Sequence, residues 1–226
     1  VGVLAGGMGV RAGGNLPKTF RAVLGKPLIT YCLEAFDRLP EVQALRVAVP
    51  PEYGSLLEEI LELHPVRCFH GWVAGGTSRA RSALAVLRAL EADGPEVVLL
   101  HDAARPLFEA EEVRALIAAL QRNDGAILAA RSVDTLWKVD EEGRLVEPAD
   151  RRSLVRALTP QAFPYVLIRE AYEKGLAEGF EGTDDASYVR ALGGRVAWVP
   201  GTSKNLKVTF EEDFALLEAL LLKECP

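Results

Sequence analysis

Apolar residues fall into two rhythms along this chain. Short runs rich in β-branched residues, at 45–49, 97–101, 126–130, 196–199 and 206–208, read as buried strands. Between them, apolar positions recur every three or four residues at 28–39, 55–63, 78–92, 111–121, 165–178 and 211–223, which reads as amphipathic helices. Val1-Gly2-Val3-Leu4 reads as a further strand; it opens without Met, so its first residues are expected upstream. Regular alternation of the two element types predicts an α/β fold, a mostly parallel sheet covered by helices. Residues 109–112, three of them acidic, stand at a helix start, where the dipole favours negative charge. No repeat or low-complexity segment is present, and the length suits a single domain over 1–226.

One stretch departs from that rhythm. From about 132 to 156 the pattern is short, polar and turn-rich, with Asp140-Glu141-Glu142-Gly143 between two short apolar runs. A hairpin is expected there. Pattern alone leaves it open whether the hairpin is a surface decoration or a dimerisation arm.

Composition narrows the function classes. The net charge of −6 disfavours nucleic acid as a partner, so an anionic ligand must be met by locally placed Lys and Arg. Cys32, Cys68 and Cys225 form no CxxC pair, which excludes an obvious zinc site or disulfide framework and suits a reducing compartment. No apolar run approaches the roughly 20 residues of a membrane span, and no signal peptide is visible, so a cytoplasmic location is expected.

Candidate chemistry sits after the strands. Leu4-Ala5-Gly6-Gly7-Met8-Gly9-Val10-Arg11, followed by Pro17-Lys18, is a strand running into a glycine-rich loop. Backbone N–H groups in such a loop form an anion cradle, to which Arg11 and Lys18 add charge. The loop ends in neither Gly-Lys-Ser/Thr nor GxGxxG, which disfavours a Walker ATPase and weakens a nicotinamide dehydrogenase reading. His101-Asp102-Ala103-Ala104-Arg105-Pro106 follows the apolar run 97–100, placing Asp102 at a strand's carboxyl end, where ligands of open α/β sheets bind. A carboxylate there suits Mg²⁺ on a triphosphate; the alternative is a turn cap with Arg105 paired locally. Gly75-Gly76-Thr77-Ser78-Arg79-Ala80-Arg81-Ser82 reads as a loop entering a helix, with Thr77 or Ser78 as N-cap and the two arginines on a solvated face. The same glycines and Ser82 would also suit a base or ribose. Asp134-Thr135, Asp150-Arg151, Leu158-Thr159-Pro160-Gln161 and Asn205-Leu206-Lys207-Val208-Thr209 each offer a hydroxyl or cation, and Thr183-Asp184-Asp185-Ala186-Ser187 reads as an N-cap.

Taken in order, these strings resemble the 2-C-methyl-D-erythritol 4-phosphate cytidylyltransferase family over essentially the whole chain. The resemblance implies a Rossmann-like nucleotidyltransferase fold, a homodimer interlocked through the hairpin, CTP as co-substrate and Mg²⁺. It also implies that Arg11 and Lys18 bind the triphosphate and that Ala5, Gly6, Gly7, Gly9, Gly75, Gly76, Thr77, Ser82 and Ala103 hold the nucleotide. Asp102 would ligate Mg²⁺. Arg105, Thr135, Arg151, Thr159 and Lys207 would position the polyol phosphate, Thr135 and Arg151 reaching across the dimer, with Arg151 and Lys207 also acting in catalysis. Three departures stand out: Leu4-Ala5-Gly6-Gly7 where the family has Pro-Ala-Ala-Gly, Thr77 where relatives carry Asp, and Lys204 before Asn205 where an acid is usual. The last makes Asp102 the one expected protein ligand of the metal. Two rivals remain: a cytidylyltransferase for ribitol 5-phosphate or another polyol phosphate, and a non-catalytic nucleotide-binding regulatory module.

Overall fold

The computed structural model describes residues 1–6 and 16–224. In chain order the strands are β1 (Gly2–Leu4), β2 (Ala22–Val23), β3 (Lys26–Pro27), β4 (Leu45–Val49), β5 (Phe69–Ala74), β6 (Val97–Asp102), β7 (Gly125–Arg131), β8 (Trp137–Val139), β9 (Leu145–Pro148), β10 (Val155–Pro164) and β11 (Val196–Pro200). The helices are α1 (Leu28–Asp37), α2 (Gly54–Leu63), α3 (Arg79–Leu90), α4 (Ala110–Ala119), α5 (Tyr165–Ala177), α6 (Asp185–Ala191) and α7 (Glu212–Glu224).

Seven strands form one sheet in the order β11-β7-β10-β6-β1-β4-β5. All its pairings are parallel except those of β10, which runs antiparallel to both β6 and β7. Period-two alternation divides the strand side chains between two cores. Val3, Leu45, Val47, Val49 and Leu99 face α1, α2 and α4, meeting Ile29, Leu33, Phe36, Leu57 and Leu116. Leu4, Ala48, Val98, Leu100 and Phe163 face α3, α5 and α6, meeting Val86, Leu87, Ile168, Tyr172 and Val189. Burial on both faces explains why these strands read as continuous apolar runs.

The predicted strand at 206–208 is not one. Val208 N–H donates to the Ala104 carbonyl at 2.8 Å, and its side chain packs with Val23, Leu28, Leu107, Phe214 and Leu217. The segment is an apolar seal between the β6 turn and α7, so its hydrophobicity reflects burial without a ladder. Conversely, β5 and β10 do not stand out in the apolar pattern. β5 is a half-exposed edge whose run is broken by His70 and Gly71, and β10 carries Thr159-Pro160-Gln161 across a register shift between Ala157 and Gln161.

The hairpin is present as β8 and β9, with Gly143 at φ +80 in its turn. Val133, Val139, Leu145 and Val146 are exposed on and beside it, Val133 by 84%. Among the described residues no helix is long and apolar enough to cross a membrane.

Candidate active site

Strand order brings the chemistry-bearing loops together. Parallel β1, β4, β5 and β6 end at the same sheet edge: Ala5 N–H donates to Ala48 O at 2.8 Å, Gly75 N–H to Val49 O at 2.7 Å, and Ala103 N–H to Leu4 O at 3.0 Å. Above them opens a cleft lined by Leu4, Ala5, Gly6, Lys18, Thr19, Gly76, Thr77, Ser78, Arg79, Ser82, Asp102, Ala104 and Lys207. Of the residues the resemblance assigns to nucleotide and metal, six of those described line this cleft: Ala5, Gly6, Gly76, Thr77, Ser82 and Asp102. Gly7, Gly9 and Arg11 lie outside the described residues.

Ser82 explains the glycines around it. It is buried on the first turn of α3, donates its hydroxyl to Ser78 O at 3.0 Å and accepts from Gly76 N at 3.0 Å. A Cβ on Gly6 or Gly75 would stand 3.2 or 3.3 Å from that hydroxyl. The strand ends crowd onto one small polar pin. Ser78, not Thr77, is the N-cap, accepting from Arg81 N at 3.2 Å.

Asp102 is the electrostatic centre. It is 8% exposed, its Oδ1 accepts from Arg79 Nε at 3.1 Å and its Oδ2 from Lys207 Nζ at 2.7 Å. Burial alone would raise its pKa, but the charges of Arg79 and Lys207 outweigh that and hold the carboxyl well below the usual range. Asp102 therefore does not pair locally with Arg105, as one reading of the motif had it. Nor is Arg79 on a solvated face: its other guanidinium nitrogens fork onto Asp185, which is fully buried.

His101 is a structural neighbour. Its Nε2 lies 2.8 Å from Arg105 O, a pure acceptor, so Nε2 carries the proton and Nδ1 accepts from the Thr159 hydroxyl at 3.1 Å. Thr159 Oγ1 in turn accepts from Asp102 N at 3.1 Å. Burial lowers His101 to about 4 and keeps it neutral. Thr159 and Arg105 thus adjoin the Asp102 turn. Arg105 Nη1 donates to Asn205 O at 3.0 Å, while among the described residues its buried Nε has no hydrogen-bond partner. Burial lowers the Arg105 pKa, against the opposing pull of Asp102.

Lys18 reaches over from the turn after the glycine loop, donating to Val208 O at 2.7 Å. Lys207 is placed by the loop after β11, which Glu112 anchors: one oxygen accepts Glu109 N at 2.8 Å, the other Thr202 N. Ala103 is buried beneath the site and does not border the cleft. Half-buried Gly75 does not border it either. Thr135 and Arg151 are exposed on the hairpin and do not line the cleft of their own chain; Arg151 Nη1 donates to Val133 O at 3.0 Å. Sequence reasoning missed Arg79 and Asp185. The available signal was a cation at the first position of α3 with no acidic residue in that turn, opposite to what the helix dipole favours.

Comparison with known proteins identifies the family. The family described as "IspD: 2-C-methyl-D-erythritol 4-phosphate cytidylyltransferase" matches residues 1–223. The chain is 39% identical over 225 residues to the protein of that name from Geobacter metallireducens, covering 98% of this chain and 97% of the relative. The crystal structure of the Thermus thermophilus protein of that name superposes with a TM-score of 0.76 at 31% identity, covering 97% of each chain. That of 4-diphosphocytidyl-2C-methyl-D-erythritol synthase from Anaerococcus prevotii gives 0.85 at 29% identity, covering 98% of this chain and 94% of the other. With a family match running almost end to end over a fold whose strand ends gather these motifs, the chain belongs to the IspD family of 2-C-methyl-D-erythritol 4-phosphate cytidylyltransferases.

Proposed function

We propose that this protein joins CTP to 2-C-methyl-D-erythritol 4-phosphate, giving 4-diphosphocytidyl-2-C-methyl-D-erythritol and pyrophosphate, in the non-mevalonate route to isoprenoid precursors. The observation that carries the reading is Asp102 at the carboxyl end of β6, held between Arg79 and Lys207 in a cleft that Lys18 also lines.

The chemistry follows from charge. An oxygen of the acceptor phosphate forms a bond to the α-phosphorus of CTP; the bond from that phosphorus to the bridging oxygen breaks, and pyrophosphate leaves with the electron pair. The attacking oxygen is already ionised near neutral pH, so no side-chain nucleophile is needed. Two anions must be brought together, and positioning with electrostatic stabilisation supplies the catalysis. Lys18, with Arg11, meets the triphosphate, and Lys207, on the same cleft, positions the acceptor phosphate. Ala5 and Gly6 after β1 border the triphosphate, and Gly76, Thr77 and Ser82 border the base and ribose. Ser82 has already spent its proton on Ser78 O, so any contact it makes with the nucleotide is as an acceptor.

Among the described residues Arg105 is a largely buried guanidinium with no carboxylate partner and an unpartnered Nε, which suits an acceptor phosphate; Asn205 links it to Thr159. Thr135 and Arg151 would reach that acceptor from a second copy, the exposed apolar hairpin being the arm that docks it. Among the described residues no group of three metal-ligating side chains exists, so a dedicated protein cage for a metal is absent there. A single carboxylate facing a triphosphate site fits Mg²⁺, which binds through one or two carboxylates plus phosphate and water. Asp102 would hold it, and when bound it supplies neutralisation of triphosphate charge. Unpaired Cys32 and Cys68 suit action in the cytoplasm.

The test is pyrophosphate release from CTP and Mg²⁺, with methylerythritol phosphate and ribitol 5-phosphate offered in parallel. Release only with the former is expected. Preference for ribitol phosphate would keep the mechanism and change the acceptor; CTP binding without release with either would leave only a nucleotide-binding module.

A further inference from the structure

Asp102 offers its two oxygens to cations of different character. Oδ2 faces Lys207, one ammonium on a flexible stem whose side chain is 43% exposed. Oδ1 faces Arg79 Nε, and the remainder of that guanidinium is committed elsewhere: Nη1 and Nη2 donate to Asp185 Oδ1 and Oδ2 at 2.8 and 2.9 Å. A planar guanidinium forked onto a carboxylate has a fixed orientation, so the direction of its Nε–H is set by where Asp185 stands.

Asp185 is held from three sides of the core. It opens α6, whose N-cap Asp184 accepts from Ser187 N at 3.0 Å and from Gln161 Nε2 of β10 at 3.1 Å. Gln161 Oε1 accepts from Ala186 N at 3.0 Å. From α5, the Tyr172 hydroxyl donates to Asp185 Oδ1, and its ring stacks on Tyr188 of α6 at 4.1 Å. Asp185 does not border the cleft. Burying an ion pair costs desolvation, and an apolar pair would tie α3 to α6 as well. An apolar pair could not aim an N–H at Asp102.

We propose that Arg79, aimed by Asp185, is a positioning residue that holds the Asp102 carboxylate in place for CTP-bound Mg²⁺ and leaves Oδ2, shared with Lys207, as the exchangeable oxygen. The proposal rests on the cytidylyltransferase reading of the cleft. Arg79→Lys keeps the charge but not the fork, and Asp185→Asn keeps the shape but not the charge.

The experiment measures the thermal shift induced by CTP with Mg²⁺ minus that with CTP and a chelator, alongside steady-state pyrophosphate release. In Arg79→Lys and Asp185→Asn the Mg²⁺-dependent increment should fall by at least half. Their kcat should drop roughly 10- to 100-fold, while KM for CTP changes little. Added to Asp102→Asn, neither change should lower kcat further, because the group they position is gone. Tyr172→Phe, which removes one hydroxyl, should shift the increment in the same direction by less, and serves if Asp185→Asn fails to fold. A wild-type increment in Arg79→Lys or Asp185→Asn, losses in kcat that multiply with Asp102→Asn, or no increment in the unmodified protein would each overturn the proposal. The increment is read without turnover, so failure of the unmodified protein to release pyrophosphate would count against the acceptor reading separately.

Discussion

Gly76→Ala is a single methyl group placed where the structure has no room for it. Its Cβ would stand 2.3 Å from Arg81 Cβ, 3.0 Å from Arg81 C and 3.2 Å from Arg81 Cα. Carbon atoms rest comfortably at about 3.5–4.0 Å, so the turn after β5 and the first turn of α3 must part by about 1 Å. None of these atoms is the end of a flexible side chain; two are backbone. The Gly76 φ lies outside the left-handed region, so Ala is penalised by the clash and not by conformation. Overpacking of this kind costs about 1–3 kcal/mol, and stretching the Gly76 N–H to Ser82 bond adds about 1 kcal/mol. Reduced unfolded-state entropy returns about 0.4–1 kcal/mol. A net loss of about 2 kcal/mol is expected, which for a chain of this size lowers Tm by roughly 4–8 °C. The same displacement opens the wall of the nucleotide cleft, so the CTP-induced thermal shift should fall as well. Urea midpoints and thermal shifts with and without CTP measure both effects. Gly75→Ala is the internal comparison: its nearest neighbours are at 3.3 Å, and a smaller loss is expected. Wild-type stability and CTP response in Gly76→Ala would refute the close approach of α3 to the β5 turn, and with it this description of the site.

Four further outcomes are expected. Lys18→Ala should lower turnover about 10²- to 10³-fold with a near-unchanged urea midpoint; near-normal turnover would remove Lys18 from the mechanism. If the hairpin carries Arg151 across a dimer, mixing inactive Arg151→Ala with inactive Lys207→Ala should restore part of the activity, since one site per mixed dimer is intact; no recovery after confirmed subunit exchange would show Arg151 acting within its own chain. Burial raises the pKa of the Cys32 thiol, and burial beside Asp37 pushes Cys68 to about 11, so neither should react with a thiol reagent near pH 8 until the protein is unfolded; prompt labelling of the native protein at either position would contradict their burial. The Arg46 hydrogen bond, against an opposing burial effect and aided by His70, lowers the Asp93 pKa in the folded state. A depressed folded value means the unfolded chain takes up protons first, so this stabilisation is complete above about pH 4 and is lost as pH falls through the folded pKa. Asp93→Asn should therefore be less stable than wild type at pH 7, with a gap in urea midpoint that closes in acid; a constant gap would show that the charge is not what matters.

Much of the fold could be read locally. The strands at 45–49, 97–101, 126–130 and 196–199 and all six helices anticipated by periodicity exist, as do the 132–156 hairpin and the helix behind Asp184. Buried runs and amphipathic faces are properties of neighbouring residues, so a short window contains them. The Gly75-Gly76 turn after β5 and the carboxylate that ends β6 were legible for the same reason: each is a residue type demanded at a strand end, whatever the partner strand.

What the window could not contain was pairing. The antiparallel insertion of β10 between β6 and β7 depends on non-local ladders, and only that insertion puts Thr159 against Asp102 N and Gln161 against α6. Residues 206–208 look like a strand because they are apolar, yet their apolarity serves a seal against α7. Arg79 and Asp185 stand 106 residues apart, each with an ordinary local explanation as a helix-start residue. Their union, and the hold it gives on Asp102, follows from sheet order and from the low polarity of the interior, where each buried charge must find its partner through space.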